Sequence, residues 1–403
     1  MRQLTGRLTK NDDDLDYSRE SSHRSRDRSR IARHNNYIPG MITSGIQDDM
    51  RRINEYRQTE AMLIDVMAKG MPGKVYNLAA GDPDLSICDA VKKAYGSTDL
   101  DATHNYGPSQ GLPELRQKLW RDPSCVMIAD GAKQLIYEAL SATTKPGDRV
   151  VLAGPCWTSY MKICEILGLR YSLLCGVGDE GYAPAIHQIE EAMSDDVCAI
   201  VINNPNNPAG YVFGDAQVGA ISALAEKYDA WIIADEIYRD LSQVPVRSFR
   251  GGERAIVIDG FSKSLNLTGW RMGYCIAPAA VIKAMTALQS QLSGPPSTLI
   301  QDILIRAWDE KKTAGFEDYR ERIEILCELE KFRKHRPQAG FYFYLPIDAK
   351  WESSQKLCEH MLREHAVAIT PGDSYGAERT VRISAAGISA DDLREIKGIL
   401  AEI

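Results

Sequence analysis

Lys263 is a lysine placed for covalent chemistry. It stands in Gly260-Phe261-Ser262-Lys263-Ser264, directly after the apolar run Ala255–Asp259. If that run is a strand of an α/β sheet, its carboxyl end is where ligands bind. An amine held there between cations or apolar walls loses part of its basicity and becomes a nucleophile. Read alone, the residue is a surface lysine in a loop. Asp235 argues otherwise. It closes another apolar run, Trp231–Ala234, in Ala234-Asp235-Glu236-Ile237-Tyr238. A carboxylate ending a buried strand is costly without a positive partner, and a protonated pyridine nitrogen is such a partner. Tyr238 carries a phenol that could donate to an oxygen on the same ring. Asn207, in Asn203-Asn204-Pro205-Asn206-Asn207-Pro208-Ala209-Gly210, either makes a turn or donates to that oxygen.

Two further features suit a phosphate. Gly131-Ala132-Lys133-Gln134 joins a predicted strand to a predicted helix, so free backbone N–H groups face whatever binds there. Arg271 supplies a forked, permanently charged donor, the geometry that phosphate favours. Trp157, in Pro155-Cys156-Trp157, either packs in the core or stacks on a planar ring.

These residues need a scaffold. Short Val- and Ile-rich runs recur at Cys125–Ile128, Arg149–Ala153, Tyr171–Cys175, Cys198–Asn203, Trp231–Ala234, Ala255–Asp259 and Tyr274–Ala277. Runs of this kind are strands buried on both faces. Amphipathic segments lie between them, at Lys133–Ser141, Tyr160–Leu167, Ile186–Met193 and Ala216–Lys227. The alternation predicts an α/β fold with a mainly parallel sheet. After Pro278 a long helical stretch, 280–330, precedes the strand 340–345, a helix at 354–364, short apolar runs at 367–369 and 380–384, and a last helix from Ser389. That pattern predicts a smaller α+β domain, joined by the chain before about residue 80. Residues 46–70 read as helical. Residues 1–36, with Asp12-Asp13-Asp14 and the Arg-rich run 24–33, bury too little apolar surface to offset ordering entropy and read as a flexible tail.

Composition excludes some function classes. The net charge of −7 is that of neither a nucleic-acid binder nor a basic membrane-surface protein. No apolar run approaches the ~18 residues of a membrane span, and no signal peptide is visible. The nine cysteines include no CxxC pair, which suits free thiols in a reducing compartment; Cys156 reads as a small packing residue. The cytoplasm is the expected location, with no metal site.

The motifs together resemble the class I/II aminotransferases, relatives of aspartate aminotransferase. They occur in that family's order: Gly81-Asp82-Pro83-Asp84, Tyr106-Gly107-Pro108-Ser109-Gln110-Gly111, Gly131-Ala132-Lys133-Gln134, Asn206-Asn207-Pro208-Ala209-Gly210, Asp235-Glu236-Ile237-Tyr238, the Lys263 segment and Arg382-Ile383-Ser384. The resemblance implies fold type I: a mainly parallel seven-stranded sheet with helices on both faces, plus a smaller α+β domain. It implies pyridoxal 5'-phosphate (PLP) held as a Schiff base on Lys263. Asp235 would keep the ring nitrogen protonated, and Asn207 and Tyr238 would contact the ring oxygen. Arg271, Ser262 and the backbone of Ala132 and Lys133 would bind phosphate, and Trp157 would stack on the ring. Tyr106 would reach the phosphate of a neighbouring subunit, giving a homodimer with shared sites. Arg382 and the backbone at Gly81 would grip the carboxylate of an amino acid or keto acid. The implied division is a tail (1–40), an arm with part of the small domain (41–80), a large PLP-binding domain (81–285) and a small domain (286–403).

The expected reaction is ping-pong amino transfer between an amino acid and a 2-keto acid. A lyase, decarboxylase, β/γ-replacement enzyme or oxidase acting on an amino acid or S-adenosylmethionine-like substrate on the same fold is the alternative; a non-enzymatic ligand-sensing regulator is disfavoured, since the tail has no helix-turn-helix pattern and the lysine is present. Departures from the family pattern point toward specialised metabolism. Gly260 stands where many relatives have a phosphate-binding serine, and Ala209 replaces a threonine. The stretches Arg116–Gly131 and Leu326–Pro337 are short, and the polar tail is an addition.

Overall fold

Strand β1 (Tyr76–Asn77) opens the part of the chain described by the computed structural model, which comprises residues 73–176, 181–311 and 313–403. The predicted tail and the helical reading of residues 46–70 lie outside it. The next seven strands are β2 (Val126–Ala129), β3 (Arg149–Ala153), β4 (Arg170–Leu174), β5 (Val197–Asn203), β6 (Trp231–Asp235), β7 (Ala255–Gly260) and β8 (Gly273–Ile276). They form one sheet in the order β2-β8-β7-β6-β5-β3-β4. Successive side chains point to opposite faces of a strand, and both faces here are apolar. Ile233, Ile256 and Ile258 pack on one face with Leu135, Ile136, Tyr160 and Ile163 of the helices Ala132–Thr143 and Thr158–Ile166. Ile232, Ala234 and Val257 pack on the other face with Val218, Ile221 and Leu224 of the helix Asp215–Lys227.

The sheet is mainly parallel, with one exception. β8 runs antiparallel to both β7 and β2. β2 therefore runs in the same direction as β7, so the carboxyl ends of β2, β3, β5, β6 and β7 lie along one edge. The amino end of β8 shares that edge.

The helical stretch 280–330 is not continuous. It comprises the helices Ala279–Leu292, Thr298–Ala307 and Glu317–Cys327. The first ends at Gly294, which adopts φ +76°, and two prolines follow that cannot extend a helix. Ser297 then caps the next helix by accepting from the Ile300 N–H. Beyond it, β9 (Tyr342–Pro346), β10 (Val367–Ala368), β11 (Thr370–Pro371) and β12 (Thr380–Ser384) complete the strands. β11, β12 and β9 make an antiparallel sheet in that order. Its core includes Phe341, Phe343, Val381 and Ile383, with Leu357, Met361, Leu393 and Ile396 from the helices Ser354–His365 and Ala390–Leu400. β1 pairs in parallel with β10, Tyr76 opposite Val367 and Asn77 opposite Ala368. Among the described residues no helix is long and apolar enough to cross a membrane.

Candidate active site

The shared edge of the sheet opens into a cleft of about 370 Å³. Gly81, Ala132, Lys133, Trp157, Asn207, Asp235, Tyr238, Ser262, Lys263, Arg271 and Arg382 line it. Of the residues singled out from the sequence only Tyr106 lies elsewhere, with 93% of its surface exposed.

Asp235 is the last residue of β6 and pairs in register with Asn203 at the end of β5. Two residues beyond Ile233, it continues the face covered by the helix Thr158–Ile166. There the Tyr160 hydroxyl donates to its Oδ2 at 2.7 Å, and the Ile237 N–H donates to its Oδ1 at 3.2 Å. No ion pair reaches it among the described residues. Burial pushes the carboxyl up to about 6, although both hydrogen bonds and the Lys263 charge favour ionisation. A cation at this spot would restore the carboxylate. Tyr238 is also buried, and burial raises its phenol well above the usual range, so it stays a donor; its Oη lies 3.3 Å from the Tyr342 Oη.

Lys263 sits in the single helical turn Phe261–Ser264 that follows β7. Its ammonium donates to the Gly81 carbonyl at 2.5 Å. The expected serine position, Gly260, is tightly packed: a Cβ there would meet the Met272 carbonyl at 3.0 Å and Gly273 Cα at 3.1 Å. A side chain there would require the backbone of Met272 and Gly273 to give by a few tenths of an ångström.

An anion cradle forms where β2 meets the helix Ala132–Thr143. Gly131 precedes that helix with φ +92° and provides no side-chain cap, so the first-turn N–H groups stay available. Arg271 borders the same spot. A Cβ on Gly131 would lie 2.8 Å from its Nη2. Arg271 is held in a left-handed conformation, φ +55°, while its Nη1 donates to the Thr268 carbonyl at 3.0 Å. Non-glycine residues adopt that conformation at a cost, which the surroundings must sustain. Trp157 meets Tyr160 edge to face at 5.7 Å, and the Lys133 ammonium lies 4.8 Å from the Trp157 ring centre.

Arg382, on β12, is the second buried charge. Its Nη1 donates to Asn207 Oδ1 at 3.2 Å and its Nη2 to the Ala79 carbonyl at 2.6 Å, while Nε has no partner. The guanidinium lies 4.6 Å from the Tyr342 ring centre and 4.9 Å from that of Tyr375. No carboxylate pairs with it among the described residues. A buried guanidinium of this kind is suited to an anionic ligand.

The sequence reading missed Tyr160, Tyr342 and Tyr375. Tyr160 falls on a helix face and Tyr342 on a strand, where an aromatic reads as core. Thr268 and Asp82, hydrogen-bonded to each other at 2.5 Å, also line the cleft. Tyr342 packs against Gly81, where a Cβ would collide with its hydroxyl, a contact with no signal in the sequence.

These groups fit PLP. A buried acid lacking a cation suits its ring nitrogen, the helix start and Arg271 suit its phosphate, and an amine suits its aldehyde carbon. The fold and cleft define a fold-type I PLP-dependent enzyme. The chain belongs to the class I and II aminotransferase family, whose model matches residues 73–399. An aspartate aminotransferase of Thermotoga maritima is 29% identical over 355 residues, covering 83% of this chain and 93% of the relative. An aspartate/prephenate aminotransferase of Thermus thermophilus is 29% identical over 340 residues, covering 79% and 88%. The crystal structure of a Thermotoga maritima aspartate aminotransferase superposes with a TM-score of 0.78 at 28% identity, covering 87% of this chain and 99% of that one. A Thermus thermophilus aspartate aminotransferase with maleate gives a TM-score of 0.77 at 27% identity, covering 85% and 94%. The chain is a PLP-dependent aminotransferase.

Proposed function

We propose that the cleft transfers an amino group with Lys263 as the residue that carries PLP and then moves the proton at the substrate Cα. When bound, the cofactor supplies an electron sink for a breaking Cα bond. Asp235 holds the ring nitrogen protonated, with Tyr160 orienting the carboxylate. Asn207 and Tyr238 donate to the ring oxygen. The N–H groups of Ala132 and Lys133, with Ser262 and Arg271, hold the phosphate, and Trp157 covers the ring. Arg382 grips the substrate α-carboxylate beside the Gly81 backbone. Lys263 Nζ lines the same cleft as Arg382 and would serve as general base and then acid for the proton at the substrate Cα. The reaction is double displacement: an amino acid enters and a 2-keto acid leaves, then a second 2-keto acid takes up the amino group.

The observation that carries this reading is the pair of buried, unmatched charges. Asp235 lacks a cation and Arg382 lacks a carboxylate among the described residues. A cationic ring and an amino acid carboxylate supply both. The test is Lys263→Ala, which should remove the visible band of the lysine-bound cofactor and reduce turnover by several orders of magnitude. Normal transamination in that variant would refute the assignment.

The relatives above are named for aspartate, and one was solved with maleate; both molecules carry two carboxylates. The Lys133 ammonium lines the cleft and forms no ion pair among the described residues, so it is the group to meet a second carboxylate. Aspartate and glutamate are therefore the first donors to try. The exposed Tyr106 supports a homodimer in which each subunit lends this phenol to the other's phosphate site. On this reading residues 81–285 form the cofactor-binding domain and residues 286–403 the small domain.

A further inference from the structure

His360 and His365 belong to the helix Ser354–His365, and Glu402 lies just past the helix Ala390–Leu400. The fold brings them together away from the amino-transfer cleft, none of whose lining residues they are. The two imidazole rings sit edge to face at 5.4 Å. The Glu402 carboxylate reaches both: Oε2 lies 3.6 Å from His360 Nε2, and Oε1 lies 3.5 Å from His365 Nε2. One donor atom from each residue falls within 4.8 Å of the others.

Those separations are informative. Charge-assisted N–H···O bonds run at about 2.7–2.9 Å, so both contacts are too long to be good ones. Zinc binds imidazole nitrogen and carboxylate oxygen at about 2.0–2.2 Å. In a tetrahedron with such bonds, neighbouring ligand atoms stand about 3.3–3.6 Å apart. The two histidine–glutamate distances, each to a different oxygen of the carboxylate, fall near that edge length. The ligands are also braced. The Trp351 ring packs on His360 at 4.9 Å, and its Nε1 donates to the Glu402 carbonyl at 3.2 Å. The neighbouring Ile403 is buried, and its carbonyl accepts from Lys331 Nζ at 2.8 Å and from the Asp348 N–H at 3.2 Å. The carboxylate is therefore delivered from anchored backbone.

We propose that His360, His365 and Glu402 form a binding site for a divalent metal of the zinc type. Two imidazoles favour such an ion over magnesium or calcium, which prefer oxygen ligands. Three protein ligands leave a fourth position for water. The ion ties the C-terminal residues to the helix that leads into β10, and binding only to the folded chain stabilises it. The spacing is not a ligand motif along the chain: the histidines are five residues apart, and the glutamate comes from another element.

The test is calorimetric titration of Zn²⁺ into chelator-treated holoenzyme, with thermal denaturation in parallel. Wild type should bind one zinc per chain and melt at a higher temperature with zinc than without. His360→Gln and Glu402→Gln should each weaken binding by roughly tenfold or more, as loss of a ligand does, and abolish the thermal shift. Both variants should keep the turnover and the metal-free melting temperature of wild type. Two variants on different elements guard against one that folds poorly. Absence of zinc binding overturns the proposal. So does equal binding in wild type and both variants, because the zinc then sits on other histidines or on the cysteines.

Discussion

Asp235 shows how one residue links stability to function. Its carboxyl is pushed from 3.8 to about 6 by burial. A carboxyl raised on folding contributes stability that is fully present below its ordinary value and lost as pH rises through the folded value. Above pH 6 the cofactor-free protein therefore bears the cost of a buried, unpaired anion, which a bound cationic ring removes. Asp235→Asn deletes the titration. Glu138, Glu236 and Asp259 are also raised by burial, so the cofactor-free variant should show a smaller fall in melting temperature between pH 4 and 6 than cofactor-free wild type, and be at least as stable at pH 7.5, yet retain PLP more weakly. Melting curves across pH on cofactor-free protein, with PLP release on dialysis, check both halves; unchanged retention would show that the ring nitrogen is held elsewhere. Asp235 was legible in the sequence because an acid closing an apolar strand has few bland explanations. Tyr160, which donates to it, was not, because an aromatic on a helix face usually packs in a core.

Elements decide whether those residues meet. The strands were legible because doubly buried runs are short, Val- and Ile-rich and separated by amphipathic segments. The direction of β8 was less so. Only a dozen residues separate Gly260 from Gly273, and they carry short turns, too little for the usual helical crossover between parallel neighbours. The helical stretch 280–330 read as continuous because its apolar spacing persists; Gly294 and the prolines after it break it. The cradle at Gly131 depends on backbone that only glycine adopts readily. Gly131→Ala must hold φ +92° with a Cβ 2.8 Å from Arg271 Nη2, a strain of roughly 1–3 kcal/mol. It should weaken PLP affinity by about tenfold or more, measured by titration of the cofactor-free enzyme. Gly219→Ala, inside a helix with nothing within 4 Å of the new Cβ, is the control. It should leave PLP affinity unchanged and stabilise the fold by about 0.5–1 kcal/mol. Equal PLP affinity in the two variants would remove Gly131 from the phosphate site.

At the scale of the whole molecule, the cleft draws on two of the three sheets, with Asp235 at the end of a strand and Lys263 in the turn after another strand of the seven-stranded one, and Arg382 on the three-stranded one. That joint origin could be read from the motif order but not from any single segment. Tyr106 is exposed and outside the cleft of its own chain, and the proposed homodimer would place it at the partner's site. Mixing Lys263→Ala chains with Tyr106→Phe chains, after dissociation and reassociation, should give hybrids with one intact site and activity above the average of the two parents. Activity equal to that average would mean each chain works with its own residues alone. Amino transfer itself is tested most directly by mixing holoenzyme with one amino acid at a time, aspartate and glutamate first, without an acceptor. The expected result is a single turnover: loss of the lysine-bound cofactor band, one equivalent of 2-keto acid per site, and recovery of the band only when a second 2-keto acid is added. Continuous release of ammonia, carbon dioxide or a leaving group, with the band restored and no acceptor present, would contradict it.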